Sequence, residues 1–101
     1  MGSRLELQTK LEGLLGSKNV YYQPPPSIQM NYDAIVYSRS KIDNTFANDT
    51  VYTQAKAYTV TVIYKRPDSE VVDKVSRLPK CRFDRHFVSD NLHHDVFTLY
   101  Y

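Results

Sequence analysis

The stretch from residue 57 to residue 65 constrains the fold of this chain more than any other segment. β-Branched and aromatic residues alternate there with polar or small residues, which would make one side of an extended segment apolar. The apolar side carries Tyr58, Val60, Val62 and Tyr64. Because successive side chains of a strand point to opposite faces, this alternation predicts a strand with one buried face. Such a strand needs neighbouring strands and a cover over its apolar face.

Two amphipathic helices are predicted to supply this cover. Residues 3–16 carry leucines at i, i+4, i+7 and i+8, which form one apolar stripe along a helix. Residues 70–78 carry a second stripe, made of valines and a leucine. Ser69 or Asp68 would cap the start of this helix, and Pro79 would stop it. Helices this short are marginal alone in water, so both stripes should dock on the sheet.

Further strands are predicted at residues 19–23 and 34–38, and residues 80–101 form a predicted hairpin. The polar stretch from residue 39 to 54 is longer than a usual connection, and it is either a protruding hairpin arm or a surface loop. We therefore expect a single structural domain over residues 1–101, with a protruding loop or hairpin at about 39–55. The fold class is α+β, a mainly antiparallel sheet with two helices packed on one face.

The C-terminal hairpin brings histidines and aspartates together. With Asp90 and Asn91 as the two turn residues, His86 faces Asp95 across the two strands. Adjacent residues His93 and His94 point to opposite faces of their strand, so they cannot share the convergent ligands that zinc requires. A cross-strand His–Asp pair is thus favoured over a metal site. Simple alternation also places three apolar residues on one face of the first strand: Cys81, Phe83 and Phe87.

Signals for catalysis are weak. Residues 38–41 and 89–91 match the S-x-x-K and S-D-N elements of penicillin-recognising serine enzymes, but the third element, K-T-G, is absent and Ser38 ends a strand. The chain has 3 glycines and no glycine-rich nucleotide-binding loop. No spacing around Cys81 suggests an activated nucleophile. We expect no enzymatic activity, no cofactor and no metal.

Composition limits the partners. The net charge is +2, from 13 basic and 11 acidic residues, which is too balanced for an obligate nucleic-acid binder. The single cysteine forms no internal disulfide and is compatible with a reducing compartment. We expect neither a signal peptide nor a membrane span. Five basic residues cluster in sequence, either as a solvated face or as an edge that meets DNA or an acidic patch: Lys74, Arg77, Lys80, Arg82 and Arg85.

The order of the predicted elements resembles that of the tail terminator, or tail-to-head joining, family of long-tailed bacteriophages. The resemblance covers almost the whole chain, and its motifs are structural. The stretches that carry it are residues 19–25, 34–37, 58–63, 83–85 and 97–100.

This resemblance implies a subunit of a ring, usually of six copies, that caps the tail tube and connects it to the head. It implies no enzymatic activity and no cofactor. The implied partners are sister copies, the tail tube protein and the head connector or head-closure protein, while DNA passes through the ring without sequence-specific binding. The implied location is the tail or neck of the virion, after assembly in the host cytoplasm.

On this interpretation, apolar residues of the polar arm and of the C-terminus make the contacts between subunits. They are Phe46, Val51, Tyr52, Phe97, Tyr100 and Tyr101. Two alternatives stay open. One is a different neck or head-closure component, and the other is a small nucleic-acid-binding module that uses an aromatic sheet face with the basic cluster.

Overall fold

The computed structural model describes residues 4–24, 29, 31–47 and 50–100, and over 41–55 it describes the backbone alone. In these ranges the chain forms two helices and five strands. In chain order they are α1 (Arg4–Leu15), β1 (Val20–Tyr22), β2 (Ala34–Ala47), β3 (Thr50–Tyr64), α2 (Glu70–Ser76), β4 (Cys81–Ser89) and β5 (Leu92–Tyr100).

The five strands form one sheet in the order β1-β2-β3-β5-β4. β1 runs parallel to β2, and the other neighbours are antiparallel. The predicted α+β class, with a mainly antiparallel sheet and two helices on one face, is confirmed. β5 lies inside the sheet between β3 and β4, whereas β1 and β4 form its edges.

The core lies between the two helices and one face of the sheet. On β3, this is the apolar face that the sequence predicts to be buried. Val60 of β3 is opposite Tyr37 of β2 on one side and Phe97 of β5 on the other. Leu7 and Leu11 of α1 are fully buried against this face. From α2 the fully buried residue is Val75, and Val71, Val72 and Leu78 pack around it. The predicted leucine and valine stripes are therefore the cover of the sheet.

The helix ends follow local chemistry. The Ser69 hydroxyl accepts a hydrogen bond from the Val71 amide and caps α2, as one of the two predicted alternatives. Gly16 closes α1 with φ at +79°, and its amide donates to the Glu12 carbonyl at 2.9 Å. Glycine adopts this left-handed conformation without strain, which explains why the leucine stripe ends there.

The polar stretch after residue 38 continues both neighbouring strands as a long hairpin. Residues 41–47 of β2 pair with residues 50–57 of β3, and β3 begins to pair with β5 only at Ala57, opposite Tyr100. Within the described residues, segments 41–47 and 50–56 thus form a two-stranded arm. Of the two interpretations of this stretch, a hairpin rather than a loop describes the backbone.

Candidate interaction surfaces

The β4–β5 hairpin turns through Asp90 and Asn91, which have φ values of +53° and +63°. Two left-handed residues in succession make the two-residue turn that matches the twist of an antiparallel pair. Ser89 and Leu92 flank it as register partners. This turn fixes the register of the hairpin, and His86 lies opposite Asp95 as predicted.

A register shift between Phe83 and Arg85 inserts Asp84 as a β-bulge. Phe83 pairs with Phe97 on the helix-covered face, whereas Arg85 pairs with Val96 on the open face. The predicted common face for Cys81, Phe83 and Phe87 is therefore wrong. Phe87 lies opposite His94 on the open face, because the extra residue reverses the alternation after Asp84.

A polar cluster lies where the helix-covered face of the hairpin meets β3. The Asp95 side chain is buried, and its Oδ1 accepts hydrogen bonds from the Tyr64 hydroxyl at 3.2 Å and from Nδ1 of His86. The His93 ring stacks between its neighbours, with centroids 5.1 Å from Tyr64 and 5.6 Å from His86. Burial raises the pKa of Tyr64 above 10.0, and the charge of Asp95 raises it further, so the hydroxyl remains a donor.

This cluster is self-contained in its hydrogen bonding. Over the described residues, every buried side-chain nitrogen or oxygen has a hydrogen-bond partner. In the same part of the chain, no group of three His, Cys, Asp or Glu side chains is placed to hold a metal ion. His94 stacks instead on Phe87 at 4.6 Å, on the opposite face from His93. The histidines therefore join strands and do not converge on one point.

The residues predicted to contact other subunits lie in different environments, and some of them lie outside the described residues. The side chains of Phe46, Val51 and Tyr52 lie outside the described residues, as does Tyr101. Phe97 is 1% exposed and belongs to the core, so it is not a surface contact. The prediction was wrong for Phe97 because its side chain lies on the helix-covered face of an interior strand, in the same cluster as the helix residues.

Tyr100 is half-buried near the end of β5. Its amide donates to the Lys80 carbonyl at 3.1 Å, and its side chain lines a small hollow of about 100 Å³. The other lining residues are Lys10, Leu78, Pro79, Lys80 and Leu99. This volume is below the several hundred Å³ of most small-molecule sites.

The five predicted basic residues do not share one surface. Lys74 lies on α2 and Arg77 is the residue that caps its C-terminal end. Both line a shallow groove that they share with Glu70 and Asp73. Lys80 lies in the turn before β4, with φ at +59°.

The last two belong to the open face of the sheet, away from the helices. Arg82 lies opposite Thr98, with Nε 3.6 Å from Asp84 Oδ1. The Arg85 guanidinium lies 5.8 Å from the centre of the Phe87 ring. The basic cluster of the sequence is therefore split between the two sides of the molecule.

The edge strand β4 carries the surface that sequence reasoning missed. Phe83 is 53% exposed, Phe87 is 39% exposed and Val88 is 58% exposed. Exposed apolar side chains on an edge strand are unusual, because a free edge can pair with another chain. The sequence indicates this surface only through the mixture of apolar and charged residues at 81–89. That β4 is an edge strand follows from the order of the strands in the sheet.

Two further observations complete this description. Of the helices in the described ranges, none is long and apolar enough to cross a bilayer. Comparisons with protein-family models, with curated proteins and with solved structures found no match to this chain.

Proposed function

We propose that this chain is a non-enzymatic structural subunit of a bacteriophage virion, a tail terminator or tail-to-head joining protein that forms a ring between tail tube and head. The family resemblance of the sequence suggests this role. The observation that carries it is the β2–β3 arm, because an assembly subunit needs an element that leaves its own body and reaches a neighbour.

The arm is a poor structure for an isolated monomer. A two-stranded ribbon without a third strand or a covering helix is marginally stable in water. Each arm strand extends by seven residues, or about 23 Å at 3.3 Å per residue. The molecule accordingly measures 51 Å in its longest dimension, against 28 and 23 Å in the other two. In the described part of the chain, no third strand pairs with the arm, so we expect a neighbouring body that accepts the arm to stabilise it.

An arm that docks on a different surface of the next copy makes a heterologous contact, and such contacts close into rings when the rotation allows. The proposed ring has six copies, and Phe46, Val51 and Tyr52 are the proposed arm contacts. Its two sides meet the tail tube protein and the head connector or head-closure protein. DNA passes through without sequence-specific binding.

The arm can be removed without disturbing the body. Ile42 and Lys56 are register partners, so an Asn-Gly turn can replace residues 43–55 and close the shortened hairpin. We expect this variant to unfold at the temperature of the intact protein and to form no rings in light scattering and electron microscopy. Rings of unchanged size in the variant would contradict the assigned role of the arm.

A small nucleic-acid-binding module is the second candidate. The observation that favours it is the stacked pair Phe87 and His94 beside Arg85 on the open face of the sheet. A salt titration of DNA binding distinguishes the two candidates, because affinity that depends on many phosphate contacts falls steeply as salt rises.

A further inference from the structure

We propose that β4 is a self-pairing edge, which joins antiparallel to β4 of a second copy about a two-fold axis between Asp84 and Arg85. The two five-stranded sheets then become one continuous sheet. This contact goes beyond the proposed ring, because an isologous contact closes at two copies. It also uses β4, a strand that pairs with neither strand of the arm.

Among the described residues, no strand pairs with the outer side of β4. The hydrogen-bonding groups of that side can be located from the two ends of the strand. The Lys80 carbonyl accepts from Tyr100 in β5, and Ser89 is paired with Leu92 across the two-residue turn. Both residues therefore direct their backbone groups towards β5. Backbone groups alternate in direction along a strand, and the bulge at Asp84 reverses the alternation once. Four residues consequently direct their groups outwards: Cys81, Phe83, His86 and Val88.

These four positions are symmetric about the bulge. Phe83 precedes the midpoint between Asp84 and Arg85 by as many residues as His86 follows it. The same holds for Cys81 and Val88. When a second β4 approaches antiparallel about that midpoint, each outward residue meets an outward residue of the other copy. Four such pairs exchange about eight backbone hydrogen bonds, two per pair.

The side chains fit the same register. Asp84 lies opposite Arg85 of the second copy, which gives two ion pairs related by the two-fold axis. Arg82 lies opposite Phe87 of the second copy, where a guanidinium can stack on the ring. These pairs are on the open face in both copies, as the pairing of Arg82, Arg85 and Phe87 with β5 requires.

The helix-covered side is also complementary. Phe83 meets His86 of the second copy, an aromatic pair, and Cys81 meets Val88. The exposed parts of Phe83 and Val88, 53% and 58% of each residue, thereby gain apolar or aromatic neighbours.

Neighbouring registers are unfavourable. A shift by one residue in one direction sets Arg85 against Arg85 of the second copy, and in the other direction it sets Asp84 against Asp84. Either shift also places Phe83 opposite a residue of the open face. Charges and bulges usually protect an edge from pairing. Here the charges and the bulge destabilise the two adjacent registers and favour the proposed register.

Charge exchange tests the contact in the full-length chain. Asp84→Arg and Arg85→Asp each set like charges opposite one another, so each variant should lose the two-fold contact and show a reduced mass in sedimentation equilibrium. An equimolar mixture of the two should recover the mass, because each chain then carries the charges opposite to those of its partner. The double variant D84R/R85D should also recover it.

Disulfide trapping tests the register. In a Cys81→Ser background, position 82 lies opposite position 87 of the second copy as a non-hydrogen-bonded pair, at a separation that suits a disulfide. A mixture of Arg82→Cys and Phe87→Cys chains should cross-link on mild oxidation. Each variant alone should not, because identical positions lie roughly 15 Å apart along the strands.

Three results would overturn the proposal. They are an unmodified protein that shows no two-fold contact up to about 1 mM, a folded pair of charge variants that fails to recover mass on mixing, and cross-linking that is equal in all samples. Thermal unfolding of each variant checks folding. Loss of rings in the arm-replacement variant, with retained 82–87 cross-linking, separates this contact from the proposed ring.

Discussion

At the scale of single residues, Asp95 shows how this fold accommodates a charge near its core. The side chain is almost fully buried at the helix-covered face, and two donors, Tyr64 and His86, satisfy one carboxylate oxygen. Removal of either donor leaves the buried Asp95 carboxylate with one hydrogen bond fewer. The loss of folding free energy is then larger than an average hydrogen bond contributes, because the buried acceptor is no longer fully satisfied. The cluster therefore stabilises the junction of β3, β4 and β5.

We predict that His86→Ala lowers the free energy of unfolding by about 1.5–3 kcal/mol, the usual contribution of a hydrogen bond to a charged group. His94→Ala is the matched control on the opposite face of the same hairpin, where the ring stacks on Phe87. It should cost about 1 kcal/mol or less. Urea denaturation measures the free energy of unfolding of both variants. Equal decreases in the two variants would show that the hydrogen bond to Asp95 stabilises the fold no more than the stacking of His94 does.

At the scale of elements, the β-bulge in β4 decides which side chains of that strand lie on the helix-covered face. Before Asp84 the odd-numbered residues Cys81 and Phe83 lie on the helix-covered face, and after it the even-numbered His86 and Val88 do. The alternation of apolar residues in the sequence gave no sign of this insertion. A bulge depends on the pairing of two strands, so a pattern read along one strand does not contain it.

We predict that deletion of Asp84 is tolerated, because it removes the residue that β5 leaves unpaired. Phe83 then still pairs with Phe97, and the main loss is the hydrogen bond from Thr98, about 1 kcal/mol. Deletion of Arg82 is the control, since it would place Asp84 opposite Phe97 in the position of Phe83. That variant should lose more stability than the Asp84 deletion, because a carboxylate then replaces the ring that contacts Phe97.

Two measurements distinguish these deletions. Thermal unfolding compares their stabilities, and a nuclear Overhauser contact between the Phe83 and Phe97 rings, whose centroids are 5.6 Å apart, reports the register. The contact should persist without Asp84 and disappear without Arg82. The same loss in both variants would mean that the bulge does not set the register.

At the scale of the whole molecule, the charge distribution argues against strong DNA binding. Lys74 and Arg77 lie on the helix side, whereas Arg82 and Arg85 lie on the open face. A single duplex therefore meets about two of these cations at once. Such a surface suits the proposed ring, through which DNA has to slide.

We predict a shallow salt dependence for any binding to duplex DNA. With about two phosphates neutralised, the slope of log affinity against log salt should be near −2. Fluorescence anisotropy with a labelled duplex measures it. The variant K74A/R77A should remove only the phosphate contacts of the helix side. The variant R82A/R85A should remove only those of the open face, so the two changes in slope should not depend on each other. A slope steeper than about −4 would show that the whole basic cluster acts together and would favour the nucleic-acid-binding candidate.

The sequence by itself determined the local elements of this protein. Alternation defined the central strand, leucine and valine stripes defined the two helices, and the Asp90-Asn91 turn set His86 against Asp95. These features depend on residues close together in the chain, where spacing alone decides which side chains share a face. The same reasoning allowed a hairpin at residues 39–55, but it did not exclude a loop.

Only the tertiary structure decided which strand is an edge and which is interior. Phe97 was predicted at an interface and lies in the core, because β5 is inserted between β3 and β4. Phe83, Phe87 and Val88 are exposed because β4 is the last strand of the sheet. Strand order arises from contacts between residues far apart in the chain, and the periodicity of one segment carries no information about its neighbours.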